Sequence, residues 1–448
     1  MSLSAARPGV GRSVLVGDAA TEGARSATHS GPTDWATLRR FSERHYEPGW
    51  LRDLRSAWWQ RYQDTPLPTG QEEEWRRTPL ADLPRNAELL LDAPATELDH
   101  DADLAARGVI FTDLRTAVRE HPELVRAHLG IGEPVESHAA FWALSLAAWT
   151  AGTFLYVPRG VEVDGALIAR LVTDRADVAF VPHTIVVAEP GASVTVLEEL
   201  VSADGAPGWF GGTVEIHAQD GSRIRYARLQ RLGDGVWNIG AQRVVVGTDA
   251  EVTTLNAEVG SRVTKVGLDV QMTGRGGTSR VLGLLAAGGD QHIDINSVQE
   301  LVGSHTTSDL LYLAALYDQA HAAFYGRIVV RPEAKQTSSY QECRNLLLSP
   351  GAGAEPIPVL EIETNDILRC GHGATAGAID PVQLFYAQSR GLDADEAQRM
   401  IVRGFFEQVV GQISSETIKA LVLDALARRI GSSTAFDDAG DSDEADAA

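Results

Sequence analysis

Two cysteines and one histidine in the last third of the chain have the types and spacing that suit metal or sulfur chemistry. Cys343 begins a leucine-rich run, and Cys370 is followed two residues later by His372, which lies between two glycines. Thiolate and neutral imidazole are both good ligands for iron or zinc. We therefore consider Cys343, Cys370 and His372 as candidate metal ligands, with Cys370 and His372 in a glycine-bracketed turn. On these residues alone, a buried free cysteine and a turn histidine are the favoured interpretation.

The number of thiols limits what this segment can hold. Cys343 and Cys370 are the only cysteines in 448 residues, whereas a [2Fe–2S] or [4Fe–4S] cluster usually takes four cysteine ligands. A cluster that the chain contacts would therefore need ligands from another protein. A secreted, disulfide-linked protein of this size would also carry more cysteines. We expect a cytoplasmic protein.

The motifs of common enzyme classes are absent from the sequence. Without a G-x-x-x-x-G-K-[ST] loop the chain is not expected to hydrolyse ATP, and no C-x-x-C, H-E-x-x-H or G-x-S-x-G signature occurs. A carbohydrate-active enzyme would need paired carboxylates, for which Asp294 and Asp309 are candidates. Together with His292, His305 and His321 these carboxylates also permit a metal site. The low aromatic content of 6% disfavours a sugar-binding groove, and we predict that the chain is not an enzyme.

Charge and hydropathy exclude two classes of partner. The net charge of −22 argues against nucleic-acid binding, which needs a basic surface. No apolar run approaches the ~20 residues of a membrane helix, so we predict no membrane association. Residues 436–448 carry six carboxylates and no basic residue, which predicts a disordered tail over 433–448. Residues 1–30 lack periodicity and are also predicted to be disordered.

Hydrophobic patterns divide the remaining chain into three regions that must position these residues. Residues 31–150 show apolar side chains at helical spacing and are predicted to form a mainly helical domain. Residues 151–375 contain short strand-like runs separated by Gly, Asp and Pro turns. Residues 376–432 are helical again, with Asp380 and Asp393 as helix caps. These last helices either cap the preceding domain or dock a partner.

A sequence repeat identifies the architecture of the central region. A turn residue followed by a small or polar pair and an aliphatic residue recurs near Gly191, Gly221, Asp249 and Gly277, at intervals of roughly 28–30 residues. The last copy carries one extra residue before its aliphatic side chain. This period predicts a β-solenoid, in which each coil buries its apolar face against its neighbours. A β-sandwich or a closed barrel would instead repeat its strands every 8–12 residues without a longer period.

Several short segments give the chain a family resemblance. The strings H-G-A-T at 372–375, L-F-Y at 384–386 and S-R-G at 389–391 resemble the C-terminal part of the SufB/SufD family of iron–sulfur cluster assembly scaffold proteins. The segment F-L-Y-V-P-R-G-V at 154–161 is similar to the strand that opens the family's solenoid. The segment E-W-R-R-T at 74–78 is similar to an element common in the N-terminal part of the SufD branch.

The resemblance covers roughly residues 70–430 and implies a fold, partners and a task. The implied fold is a right-handed parallel β-helix flanked by N-terminal and C-terminal α-helical domains. A SufB-like and a SufD-like scaffold would pair through their solenoids, and each would hold one copy of an ABC-type ATPase, SufC. A transient iron–sulfur cluster would be built at the interface, with no cofactor bound tightly to this chain alone. Without its partner, the chain is expected to be able to form a homodimer.

The same resemblance suggests individual roles. His372 would face a cysteine of the SufB-like partner as a candidate iron ligand. Cys343 matches the position of the assembly cysteine of SufB-like chains, but Gly373 stands where those chains usually have glutamate. We therefore assign the chain to the SufD branch, with a SufB-like scaffold as the alternative. The predicted partner-binding residues in the C-terminal helices are Phe385, Tyr386, Met400, Ile401 and Phe405.

Overall fold

The structure, a computed structural model, is mainly β, with helical regions N-terminal and C-terminal to its central strands. The predicted disordered segments, 1–30 and 433–448, lie outside the residues that it describes. No helix in the described part of the chain is long and apolar enough to cross a membrane. The described residues are 31–84, 87–100, 103–132, 135–205 and 207–431.

Among its described residues, the N-terminal region has five α-helices and three short strands. The helices are α1 (Trp35–Arg44), α2 (Gly49–Asp64), α3 (Leu114–Glu120), α4 (Pro122–His128) and α5 (Ala139–Ala148). The strands are β1 (Glu88–Leu89), β2 (Glu97–Asp99) and β3 (Ile110–Asp113).

The central region is a parallel β-solenoid of about eight turns, and it confirms the predicted fold class. Each turn contributes one strand to each of two sheets. In chain order, sheet A contains β4 (Thr153–Val157), β7 (His183–Ala188), β10 (Thr213–Ala218), β12 (Val236–Val246), β14 (Val263–Met272), β16 (His292–Leu301), β18 (His321–Val330) and β20 (Gly353–Ile362). Two short strands, β6 (Val178–Phe180) and β9 (Gly208–Phe210), extend sheet A beside β12. Sheet B contains β5 (Glu162–Thr173), β8 (Ser193–Ser202), β11 (Arg223–Arg231), β13 (Glu251–Glu258), β15 (Thr278–Ala287), β17 (Thr307–Leu316), β19 (Thr337–Leu347) and β21 (Ile367–Ala378).

The sequence repeat corresponds to the coil, with one correction to its register. Glu251 pairs with Thr278 and Val252 with Ser279, so that Val281 lies beside Thr254. The alignment of the repeats placed Val281 opposite Val252, two residues away. Both valines still point into the solenoid, because side chains two residues apart in a strand lie on the same face.

Both sheets are covered on their two faces, which explains the nearly continuous apolar character of many strands. Their inner faces pack against each other in the largest apolar cluster. Helices α2 and α5 cover the outer face of sheet A. The outer face of sheet B packs against the C-terminal helices α7 (Ala394–Val410) and α8 (Glu416–Gly431).

The C-terminal helices begin at the predicted caps. The Asp380 side chain accepts a hydrogen bond from Val382 N at the start of α6 (Pro381–Ser389). Asp393 and Glu396 form a capping box at the start of α7. Since β21 ends at Ala378, the solenoid continues three residues past the predicted boundary at 375, because its last residues still pair with β19.

Candidate functional site

The two ends of the solenoid differ in how their edge strands are protected. At the N-terminal end, the short antiparallel strands β2 and β3 pair with β5 and β4 and cover the edges. At the C-terminal end, β20 and β21 each have a single strand neighbour among the described residues, β18 and β19. Long exposed edges carry unpaired N–H and C=O groups that readily pair with another chain. The C-terminal end is therefore the open end of the solenoid.

His372 and Cys370 lie on the last strand, β21, and the predicted glycine-bracketed turn is wrong. His372 pairs in register with Gln341 and Cys370 with Ser339. Cys370 packs against the interior apolar cluster, and His372, two residues further on, shares that inner face. His372 is nevertheless exposed, because no further coil covers it. The segment is a strand because hydrogen bonds to β19 outweigh the weak strand preference of its glycines.

Cys343 lies one coil deeper, on β19, and is only 3% exposed. Burial raises the pKa of its thiol to about 12, so the sulfur is protonated at neutral pH. Asn345 Nδ2 lies 3.6 Å from Cys343 Sγ and 2.9 Å from the Thr375 carbonyl oxygen on β21, to which it donates a hydrogen bond. This hydrogen bond from Asn345 holds the last coil in place over the Cys343 thiol.

The register decides which of the three candidate ligands lie close together. With strands about 4.8 Å apart and about 3.3 Å per residue, the Cα atoms of His372 and Cys343 are about 8 Å apart. Those of Cys370 and Cys343 are about 14 Å apart by the same reasoning, too far to share one ion. Among the described residues, no three His, Cys, Asp or Glu side chains are arranged to hold a metal ion.

A line of polar side chains inside the solenoid was missed in the sequence. In successive coils of sheet B, the inner-face column that leads to Cys343 contains Glu198, Arg228, Asn256, Gly283 and Tyr312. Asn256 Nδ2 donates to Tyr312 Oη at 3.3 Å. The Arg228 guanidinium is buried and has no hydrogen-bond partner among the described residues. The signal was present in the sequence, since these residues occur at equivalent repeat positions.

The carboxylates considered for sugar chemistry do not form a pair. Asp309 lies on β17 in sheet B, whereas Asp294 lies on β16 in sheet A. Asp294 is buried in an ion pair with Lys265 at 2.8 Å and accepts a hydrogen bond from Thr78 Oγ1 at 2.7 Å. Since Lys265 Nζ also donates to the Glu74 carbonyl oxygen, this pair anchors the E-W-R-R-T segment on sheet A.

The predicted partner-binding residues fall into two groups in the structure. Phe385 and Tyr386 on α6 are 71% and 59% exposed, and Met400 on α7 is 51% exposed. Ile401 and Phe405 are partly buried and pack against the cluster between α7 and sheet B. The fully buried residues of α7 are others, namely Ala397, Val402, Phe406, Val409 and Val410.

Comparison with known proteins identifies the family to which this arrangement belongs. The model of the SUF system FeS cluster assembly SufBD core domain matches residues 171–405, more than half of the chain. The chain belongs to the SufBD core family. The matched region runs from β5 through the open end of the solenoid and into α7.

Relatives from both branches of the SufBD family resemble the chain. The iron-sulfur cluster assembly protein SufD of Bacillus subtilis (strain 168) is 28% identical over 89% of this chain and 98% of its own length. A SufBD family protein of Mycobacterium leprae (strain TN) is 28% identical over 80% of this chain and 90% of its own length. The SufB protein of Bacillus subtilis (strain 168) is also 28% identical, over 70% of this chain and 67% of its own length. The chain is thus a SufB/SufD-family scaffold for iron–sulfur cluster assembly, as predicted.

Proposed function

We propose that this chain is the SufD-like subunit of a cytoplasmic Suf complex and has no catalytic turnover of its own. Its solenoid pairs with that of a SufB-like scaffold, and its C-terminal helices hold one copy of an ABC-type ATPase, SufC-like. The observation that supports this proposal most strongly is the open end of the solenoid, since β20 and β21 are full-length strands with one free edge. The greater share of the SufD relative that aligns with the chain, 98% against 67% for SufB, favours the SufD branch.

Strand β21 is the better edge for pairing with the partner. Pro356 and Pro358 lie within β20, and each removes one backbone N–H, so that this edge offers fewer donors. Strand β21 contains no proline, and Leu368 on it exposes a large apolar side chain. Without a SufB-like partner, the same edge would pair two copies of this chain.

His372 is the residue through which this chain contacts the cluster under assembly. The cluster is cargo that forms transiently at the interface, with most ligands supplied by the SufB-like subunit. His372 is suited to this role because its imidazole lies at the mouth of the solenoid on the edge strand. Cys370 shares its face, whereas Cys343 reaches the interface only after the last coil has moved.

The ATPase binds to the exposed face of α6. Val382, Phe385 and Tyr386 present a large apolar surface there, with the spacing of three and four residues that forms one helix face. Exposed apolar patches of this kind mark interaction sites. The helix follows β21 directly, so a force on α6 is transmitted to the edge strand and the last coil.

A SufB-like role is the second candidate, and Cys343 supports it. Its position on β19, within about 8 Å of His372 between Cα atoms, would suit a thiol that takes part in assembly. The cluster yield of a complex with Cys343→Ser separates these roles: it is retained if the subunit is SufD-like and lost if it is SufB-like.

Co-expression of the chain with a SufB-like protein and an ABC-type ATPase tests the proposal. We expect native mass spectrometry to show one copy of this chain, one SufB-like chain and two ATPases. His372→Ala should leave the complex intact and reduce the amount of cluster formed. His305→Ala, an exposed histidine on a solenoid corner, is the matched control and should have no effect. A chain that stays alone with both proteins present would refute the proposal, and full cluster formation by His372→Ala would refute the ligand role.

A further inference from the structure

A second group of potential ligands lies far from the open end, on the outer face of sheet A. A cavity of about 310 Å³ is lined there by His128 at the end of α4, by His217 on β10 and by residues of the adjacent solenoid corner. Glu215, two residues before His217 on the same face of β10, is buried next to it and does not itself line the cavity. Neither the scaffold function nor the pairing of solenoids uses these residues.

Glu215 has one oxygen that is satisfied and one that is not. Its Oε1 accepts hydrogen bonds from His183 Nε2 at 2.7 Å and from Gly130 N at 2.8 Å. Its Oε2 is buried and has no hydrogen-bond partner among the described residues. Since the side chain is 1% exposed, bulk water does not solvate this oxygen. A buried carboxylate oxygen without a partner is costly.

His217 faces that oxygen with a nitrogen that also lacks a partner. Nε2 lies 3.9 Å from Glu215 Oε2, too far for a hydrogen bond, and is unpaired within the described structure. With its proton on Nδ1, the neutral ring would present the Nε2 lone pair towards Glu215.

His128 offers a second imidazole to the same cavity. Its Nδ1 lies 2.8 Å from the Leu124 carbonyl oxygen. A carbonyl only accepts, so Nδ1 carries a proton, and in the neutral form of the ring Nε2 has the lone pair. Such a hydrogen bond from the distal nitrogen is how proteins fix the tautomer of metal-binding histidines. The rings of His128 and His217 have centroids 5.6 Å apart.

Two facing lone pairs at 3.9 Å repel each other unless a positive charge or a hydrogen-bond donor lies between them. Metal–nitrogen and metal–carboxylate bonds of about 2.1 Å span that distance at an obtuse angle at the ion. Imidazole and carboxylate together suit zinc, iron and related ions. The hydrogen bond from His183 to Glu215 Oε1 orients the carboxylate in the manner of an outer-shell partner.

We propose that His217 and Glu215 bind a divalent first-row transition-metal ion, with His128 as the third protein ligand. In the present conformation only His217 and Glu215 face each other, and three such side chains are not in position together among the described residues. A shift of α4 would bring His128 Nε2 towards the pair while keeping the Nδ1 bond to Leu124, because both residues lie in that helix. Water from the open cavity would complete the coordination. The site is separate from the solenoid interface, so the inference holds whether or not the proposed SufD-like role does.

The test is Co²⁺ binding to the full-length chain, followed by visible absorption and by native mass spectrometry. The parent carries Cys370→Ser and His372→Ala, which remove the partly exposed thiol and the edge imidazole. We expect one ion per chain, displaced by Zn²⁺, with affinity at least tenfold weaker in Glu215→Gln and in His217→Gln. His305→Gln, a matched exposed histidine outside the cavity, should bind as the parent does.

The choice of variants distinguishes a loss of metal binding from a loss of folding. Glu215→Gln keeps an oxygen that accepts from Gly130 N, so this variant is expected to fold, as checked by far-UV circular dichroism. Weaker binding in a folded Glu215→Gln supports the site. Unchanged affinity in that variant would place the ion elsewhere, and no stoichiometric binding by the parent would mean that a water molecule bridges Glu215 and His217. Either result overturns the inference.

Discussion

The thiol of Cys343 should be almost inert in the isolated, folded chain. Its pKa is raised to about 12 by burial, and only the thiolate reacts with alkylating agents. At pH 8 a thiol with this pKa is ionised in roughly one molecule in ten thousand, whereas an unperturbed thiol of pKa about 8.5 is ionised in about a quarter. Ionisation alone therefore slows alkylation by ~10³-fold relative to the unfolded chain, and the covering last coil slows it further.

Iodoacetamide labelling followed by mass spectrometry measures this difference. The Cys370→Ser variant reports Cys343 alone, and Cys343→Ser reports the partly buried Cys370 as the matched control. Each is labelled at pH 8 in buffer and in denaturing urea. A native rate for Cys343 within tenfold of its unfolded rate would refute the reasoning, because it would mean that the last coil does not protect the sulfur. In the complete complex, faster labelling of Cys343 on addition of ATP would indicate that the last coil moves.

Three further predictions concern stability and docking. Asp294→Asn leaves the Lys265 ammonium buried without its counter-charge, so it should lower the free energy of unfolding in urea by about 3–5 kcal/mol. A decrease of less than about 1 kcal/mol would contradict the buried ion pair. Phe385→Ser should abolish ATPase binding and change the free energy of unfolding by less than about 0.5 kcal/mol, because Phe385 is exposed. The control Phe406→Ser, at a buried position, should lower the free energy of unfolding by about 3–5 kcal/mol. Retained ATPase binding by Phe385→Ser would mean that the ATPase docks elsewhere. Burial lowers the pKa of His292 to about 4, so the unfolded chain binds the proton more tightly and up to about 3 kcal/mol of stability is lost as the pH falls from about 6.5 to 4. Denaturant titrations should show a smaller loss over this window in His292→Gln, and identical pH profiles would refute the shift.

Most of the fold could be predicted from the repeat and from local patterns in the sequence. The repeat near Gly191, Gly221 and Asp249 predicted the coil because every turn of a solenoid packs against its neighbours in the same way and so needs similar residues at equivalent positions. Asp380 and Asp393 were recognised as helix caps because their bonds reach only two or three residues along the chain.

Features that depend on a partner strand or on a packing surface could not be predicted from the sequence in the same way. Gly371 and Gly373 suggested a turn, but pairing with β19 extends the segment around His372 into a strand. In α7, apolar residues occupy more than one face, and contact with sheet B selects Val402 and Phe406 as buried.

The sequence by itself therefore determined the solenoid, the helical regions on its two sides, the family and the segment that carries Cys343, Cys370 and His372. Only the tertiary structure decided that Cys343 is covered while His372 lies at the mouth of the solenoid, one coil further on. It also brought His128 to Glu215 and His217 across an interval that no repeat or motif marks. The physical reason is that spacing along the chain fixes local hydrogen bonds and the face of a strand. Burial, pKa and contacts between distant residues depend on which coils and helices pack together.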